Sequence, residues 1–201
     1  MHANIELARD VEGAIHAGAE GIGLLRTEFM FLNRSSAPTE EDQYQTLNAI
    51  VTGMSGRPVT IRTFDLSADN VPQSKNTRPN KSTNPLLGLR AVRLSLRQQR
   101  LFEIQLSAIL RASAHGEIRI LLPMVSSIHQ VREVKKILRR VHSRLRKQDK
   151  ISTDKVPPLG AMIEVPGAAL IADSIIQEVD FLAIGTNDLT MYTLAIDRED
   201  E

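Results

Sequence analysis

The segment Phe181-Leu-Ala-Ile-Gly-Thr-Asn-Asp-Leu-Thr190 runs as a short apolar stretch, stops at a glycine, and presents the amide of Asn187 beside the carboxylate of Asp188. The same plan occurs upstream in Leu159-Gly-Ala-Met-Ile-Glu164, and with opposite charge in Ile22-Gly-Leu-Leu-Arg26 and Val59-Thr-Ile-Arg62. Short apolar runs bounded by turn signals read as buried strands. Each of these strands therefore carries a charged or amide group at its carboxyl end, which is where ligands bind in parallel α/β folds. Two carboxylates with two guanidinium groups describe a site for a metal ion and a polyanion.

Glu164 and Asp188 suit a hard divalent cation such as Mg²⁺, which takes one or two carboxylates and completes its shell with substrate oxygens and water. From position alone they are equally an N-cap aspartate and a glutamate at an exposed strand end. Arg26 and Arg62 offer planar forks suited to phosphate or carboxylate, yet either can pair instead with Glu28 or Asp65. Considered together, the four groups favour a site. Asn187 can donate to a phosphate oxygen, with Gly185 letting the backbone come close; the alternative is plain turn chemistry. The basic residues between Arg132 and Lys150 interleave with an apolar stripe and have no aromatic companions, so they read as a solvated helix face and not a nucleic-acid patch. The five histidines are scattered without metal-ligand spacing and are assigned to structure or surface.

These groups sit in a chain of 201 residues, enough for one domain with a real core. Apolar residues make up 42% and aromatics 3%, an aliphatic balance typical of parallel sheets. Lys and Arg (25) nearly cancel Asp and Glu (24), so net charge gives no argument for nucleic acid or a membrane surface. The absence of cysteine excludes disulfides, thiolate metal sites and a cysteine nucleophile, and fits a reducing cytoplasm. No apolar stretch approaches the roughly 20 residues of a membrane span, and no signal peptide is expected.

Strand and helix patterns alternate throughout. Strands are predicted at His2–Glu6, Glu20–Leu25, Pro58–Phe64, Glu117–Leu122, Gly160–Ile163 and Phe181–Ile184. Helices are predicted at Ala8–Ala17, from a capping box at Thr39, at Leu86–Ser95, Gln99–Ala112, Ile128–Lys147 and Ala168–Ile176, with a polar loop at Ser67–Thr83. Repeated βα units imply a parallel sheet, either a barrel or an open doubly wound sheet. A closed (β/α)8 barrel needs eight strands, so as a barrel the chain is expected to be incomplete, exposing two strand edges and part of an aliphatic core.

Beyond these strand ends, Gly18-Ala-Glu-Gly-Ile-Gly-Leu-Leu-Arg-Thr-Glu-Phe29, Val59-Thr-Ile-Arg-Thr-Phe-Asp65, Asn84-Pro-Leu-Leu-Gly-Leu-Arg90, Gln105-Leu-Ser-Ala-Ile-Leu-Arg111, Met162-Ile-Glu-Val-Pro166 and Gly185-Thr-Asn-Asp-Leu-Thr190 stand in one order. In that order they resemble the C-terminal, phosphoenolpyruvate (PEP)-binding barrel of PEP-protein phosphotransferase, enzyme I of the bacterial sugar phosphotransferase system. Pyruvate phosphate dikinase and PEP synthase share much of the pattern. The resemblance spans the chain and implies a TIM-type (β/α)8 barrel of the PEP/pyruvate-binding kind, truncated at its C-terminus, over residues 1–201. It implies that Arg26, Arg62 and Arg198 hold the phosphoryl group, Asn187 and Asp188 contact substrate, and Arg90 supports the mouth. Glu164 and Asp188 would bind Mg²⁺. On this accounting two carboxylates offset the metal and three arginines neutralise a trianionic substrate. The implied partners are PEP or pyruvate, a phosphohistidine domain or phosphocarrier protein, and a second copy in a homodimer.

Three departures accompany the resemblance. After Asp65 the family has two glycines and then Asp-Lys, where this chain has Leu66-Ser-Ala-Asp-Asn70. The family's phosphate-accepting histidine and its protonating cysteine have no counterpart here, so no catalytic residue is assigned. The expected function is Mg²⁺-dependent phosphoryl transfer from PEP to a protein histidine; the alternative is an inactive remnant or a regulatory PEP-binding fragment. A magnesium-dependent aldolase or lyase on a related barrel fits less well, because it lacks the paired contexts of Arg26 and Arg62.

Overall fold

The computed structural model describes residues 1–68, 71 and 86–197. Arg198 and most of the Ser67–Thr83 loop, including Asp69 and Asn70, lie outside the described residues.

Six strands form one parallel sheet in which spatial order equals chain order: β1 (His2–Ile5), β2 (Gly21–Arg26), β3 (Val59–Arg62), β4 (Ile118–Leu122), β5 (Leu159–Ile163) and β6 (Phe181–Ile184). A doubly wound sheet reverses direction at a switch point; this one never does. It is a curled half-barrel, with all its carboxyl ends on one rim. Among the described residues neither β1 nor β6 has a strand on its outer side. The burial gradient follows: β3, β4 and β5 are almost wholly buried, whereas β6 is half-exposed and its Ile184 is 70% exposed.

Eight helices among the described residues cover the sheet. Helix α1 is Asp10–His16. Helix α2 (Glu40–Gly53) opens with the predicted capping box, Thr39 Oγ1 accepting from the Asp42 N–H at 3.1 Å. Helix α4 (Gln99–Ala112) packs against α2 and against α5 (Ile128–Lys147), which buries its apolar stripe from Val131 to Leu145. The basic face of α5 is ion-paired to neighbouring carboxylates, Arg132 and Lys135 to Glu178, and Arg140 and Arg144 to Glu103.

Two predicted helices differ. The helix expected at Leu86–Ser95 begins only at Ala91 (α3, Ala91–Arg97). The backbone before it is committed elsewhere: Ser67 and Arg90 form an antiparallel bridge, the Ala68 N–H donates to Leu89 O, and the Ala91 N–H donates to Leu66 O. Ala168–Ile176 is split at Ile171 into α6 (Pro166–Leu170) and α7 (Ala172–Ile176), with Pro166 setting an earlier start. Beyond β6, α8 (Thr186–Leu194) begins directly at the glycine turn.

Candidate functional site

Parallel register brings the strand-end groups together. Arg26 and Arg62 are direct neighbours on β2 and β3, and Ile163 and Ile184 are partners on β5 and β6, so Glu164 and Gly185 emerge side by side. A cavity of about 760 Å³ lies at this rim, lined by Arg26, Arg62, Arg90, Glu164, Asn187 and Asp188 among others. Every predicted site residue within the described part of the chain therefore faces one cavity. Among the described residues no histidine lines it.

Two like charges side by side on adjacent strands repel, and the protein answers with carboxylates. Arg62 Nη2 donates to Glu28 Oε1 at 3.1 Å, and its Nη1 lies 3.9 Å from Asp65. Burial alone would lower the Arg62 pKa, but the attraction of Glu28, Asp65 and Glu164 outweighs it and the pKa rises. Arg90 grips Asp65 with both arms of its fork, Nε at 3.0 Å and Nη2 at 2.9 Å. Glu28 Oε1 also accepts the Asp65 N–H at 2.5 Å, tying the residues after β2 to those after β3. Arg26 donates to Glu6 Oε1 at 2.7 Å. Its partner is thus on β1's extension and is neither Glu28 nor Asp65.

A buried polar relay supports this wall. Gln105, on the apolar face of α4, accepts the Phe64 N–H at 3.0 Å and donates to Thr27 Oγ1 at 3.0 Å. Thr27 in turn donates to the Arg62 carbonyl at 2.9 Å. One side chain thus couples the segment after Arg26 to the segment after Arg62. The sequence reading missed Gln105 and Glu6. Gln105 carried a signal, lying three residues after Phe102 on the buried stripe; Glu6 follows the half-polar strand His2-Ala-Asn-Ile5 and carried only its place at a strand end.

The opposite wall is built differently. Glu164 is fully buried, so it is not the exposed strand-end glutamate. Its Oε1 accepts the Met124 N–H at 2.6 Å, while Oε2 has no hydrogen-bond partner. Burial pushes its pKa up to about 7, against the opposing effect of the Met124 N–H. Met124 holds a left-handed backbone, φ 54°. Such a conformation costs a non-glycine residue of order 1 kcal/mol and marks a place where surrounding structure over-determines the chain. Gly185, not Asp188, occupies the N-cap of α8, and Asp188 lies in the first turn. There its charge is favoured by the helix dipole. A Cβ at Gly185 would lie 2.6 Å from Glu164 Oε2 and 2.7 Å from Glu164 Cβ. The glycine therefore makes room for the buried carboxylate.

Among the described residues no group of three or more His, Cys, Asp or Glu is arranged as a metal cage. A buried carboxylate oxygen without a partner, beside a second carboxylate, nevertheless fits a divalent ion that draws its other ligands from substrate and water. The charge balance drawn from sequence needs correction. Six carboxylates (Glu6, Glu28, Asp65, Glu164, Asp188 and Asp197) and three arginines line the cavity among the described residues, a formal charge of −3 when all are ionised. Ser67 and Ala68 do not line it; their pairing with Leu89 and Arg90 carries Arg90 to the rim.

The profile of the family described as "PEP-utilising enzyme, PEP-binding domain" matches residues 1–201, the whole chain. The chain belongs to this family. PEP-protein phosphotransferases of Priestia megaterium, Haemophilus influenzae and Staphylococcus aureus are 42%, 43% and 44% identical to it over 99–100% of its length. The chain spans about a third of those curated relatives, 34–35%. A solved structure described as a lyase/mutase from Burkholderia cenocepacia J2315 aligns with 94% of the chain and 51% of its own, at a TM-score of 0.52 and 12% identity. That likeness is one of fold. Within the PEP-binding family domain, no described helix is long and apolar enough to cross a membrane.

Proposed function

We propose that this domain binds PEP together with Mg²⁺ and serves phosphoryl transfer to a histidine carried by another domain or by a phosphocarrier protein, as in enzyme I of the sugar phosphotransferase system. The observation that carries this reading is the meeting of three arginines with a buried, half-satisfied glutamate and Asp188 around one cavity. Arg62 and Arg90, already held by carboxylates, orient the phosphoryl oxygens. Arg26 adds a third guanidinium from the neighbouring strand, and Asn187 donates from the first turn of α8. Arg198 is assigned to the same anion from sequence. Glu164 and Asp188 would hold Mg²⁺, whose chemistry here is to offset charge on the transferring phosphoryl group.

Electrostatics support the pairing of substrate with cation. The described lining has a formal charge of −3 when all six carboxylates are ionised, so a trianion at this rim is favoured by an added positive ion. With it, fixed guanidinium groups stabilise a loose phosphoryl-transfer transition state without covalent work by the barrel. The bond from phosphorus to the enol oxygen breaks, a nitrogen–phosphorus bond forms on the incoming histidine, and the enolate carbon takes a proton from a group outside this chain. On the same reading the half-barrel is the greater part of a (β/α)8 barrel, and the protein works in the cytoplasm as a homodimer.

Calorimetry with PEP and Mg²⁺ tests the binding step. Heat that requires both ligands together and vanishes in Arg62→Met is expected. Adding a separately produced histidine domain then tests transfer by pyruvate release; absence of PEP binding with Mg²⁺ present would overturn the reading.

A further inference from the structure

The three arginines of the cavity look equivalent in sequence but are held in different ways. The Arg62 and Glu28 side chains are 11% and 14% exposed, and the Arg90 and Asp65 side chains 13% and 5%. Arg26 and Glu6 are 43% and 35% exposed. The two buried arginines are also locked by more than a single contact: Arg90 holds Asp65 through two nitrogens, and Glu28 binds the Asp65 backbone as well as Arg62. Arg26 reaches Glu6 through Nη1. An exposed, singly bonded ion pair contributes little to stability and exchanges partners easily, whereas a buried, multiply bonded pair is costly to break.

Register explains why Glu6 meets Arg26. The β1–β2 ladder ends at Ile5 opposite Leu25, so the next residues, Glu6 and Arg26, stand abreast at the rim of the cavity that both line. An anion bound between Arg26 and Arg62 would compete with Glu6 for the Arg26 guanidinium, and its charge would also be repelled by the Glu6 carboxylate.

We infer that Glu6 is an affinity-setting residue of this site, an internal competitor that holds Arg26 until a phosphate-bearing ligand takes its place. Arg62 and Arg90 form the fixed cradle; Arg26 is the exchangeable arm. This rests on the reading of the cavity as an anion site and adds to it a residue that binds no ligand yet limits how tightly one is held. The charge is unfavourable to the ligand while the side chain's size is not, so a neutral replacement of equal shape should help binding.

The test measures inorganic phosphate with Mg²⁺, and separately PEP with Mg²⁺, binding to the wild-type chain and to Glu6→Gln by calorimetry. Glu6→Gln should tighten phosphate about two- to five-fold, the upper range set by one half-exposed charge pair. In an Arg26→Met background the same change should alter affinity less than it does in the wild-type chain, because the arm it restrains is gone and only the direct repulsion by Glu6 remains. Glu6→Ala should shift affinity in the same direction as Glu6→Gln, and thermal melts of each variant check folding. Unchanged or weaker binding in both Glu6 variants would overturn the inference; weaker binding would mean that Glu6 orients Arg26 for the ligand. Arg62→Met separates the two levels. If it abolishes binding while the Glu6 variants fail to tighten it, only the role of Glu6 falls. If neither the wild-type chain nor Glu6→Gln binds phosphate or PEP, the anion-site reading falls and the inference with it.

Discussion

The arginine wall on β2 and β3 and the carboxylate wall on β5 and β6 face one cavity, but their charges are satisfied in different ways. Arg62 and Arg90 are neutralised within the protein by Glu28 and Asp65, and their strand ends are tied by Gln105 and Thr27. Glu164 has one backbone donor, one oxygen with no partner, and a raised pKa. One wall has its charges paired within the protein, although Arg62 Nε has no hydrogen-bond partner, and the other is completed by a proton or a cation. The comparison teaches that arginines at strand ends do not by themselves make an anion site; the buried carboxylates decide what must accompany the anion.

The sharpest way to break this contrast is to remove the central arginine. Arg62→Met leaves Glu28 and Asp65 crowded at the rim, and breaking such a largely buried pair should cost about 3 kcal/mol in denaturant unfolding. Phosphate binding should be lost with it. A cost below about 1 kcal/mol would show that the arginine wall is not the self-contained network described.

The carboxylate wall should respond to pH with the opposite sign from an ordinary ion-paired acid. The Glu164 carboxyl is raised from 4.5 to about 7 in the fold. Below about pH 4.5 it is protonated in folded and unfolded chains alike and costs nothing. As pH rises toward 7 the unfolded chain is ionised while the folded one is not, so stability falls, by roughly 3 kcal/mol once both are ionised. Glu164→Gln should therefore be the more stable protein above pH 7, with the gap closing in acid. Mg²⁺ should raise the melting temperature of the wild-type chain above pH 7 and leave Glu164→Gln unmoved. Parallel stability profiles for the two proteins would refute the assignment.

Smaller effects sharpen each wall in turn. Gln105→Leu removes the acceptor for the Phe64 N–H and the donor to Thr27 inside the core. It should cost about 2 kcal/mol and weaken phosphate binding although Gln105 does not line the cavity. Gly185→Ala should cost about 1 kcal/mol through its clash with Glu164. It should also weaken Mg²⁺ binding more than phosphate binding, since the displaced group belongs to the acidic wall. An equal effect on both ligands would blur the distinction between the walls.

Much of this organisation was legible before any coordinates. The six strands, the capping box at Thr39 and the buried stripe of α5 follow from local patterns, because apolar periodicity reports which face is buried. Arg26, Arg62, Glu164 and Asp188 were recognisable because a charge at the end of an apolar strand has few other places to point. The helix expected over Leu86–Ser95 failed for a nonlocal reason. The backbone at Leu89–Ala91 hydrogen-bonds Leu66 and Ala68, across a loop that local propensity does not see. The balance of two carboxylates against one metal failed likewise, since Glu6, Glu28 and Asp65 enter the cavity only once adjacent strands are aligned.

By itself, then, the sequence determined the element types, the order of charged strand ends and membership of the PEP-binding family, all of which depend on residues close in the chain or on motif order. The tertiary structure decided which arginine meets which carboxylate, that Glu164 is buried with one oxygen unpaired, and that Gln105 braces a wall it never touches from the cavity side. Those outcomes depend on strand register and on distances between segments 20 to 80 residues apart, where desolvation and Coulomb attraction act between groups that no local pattern links.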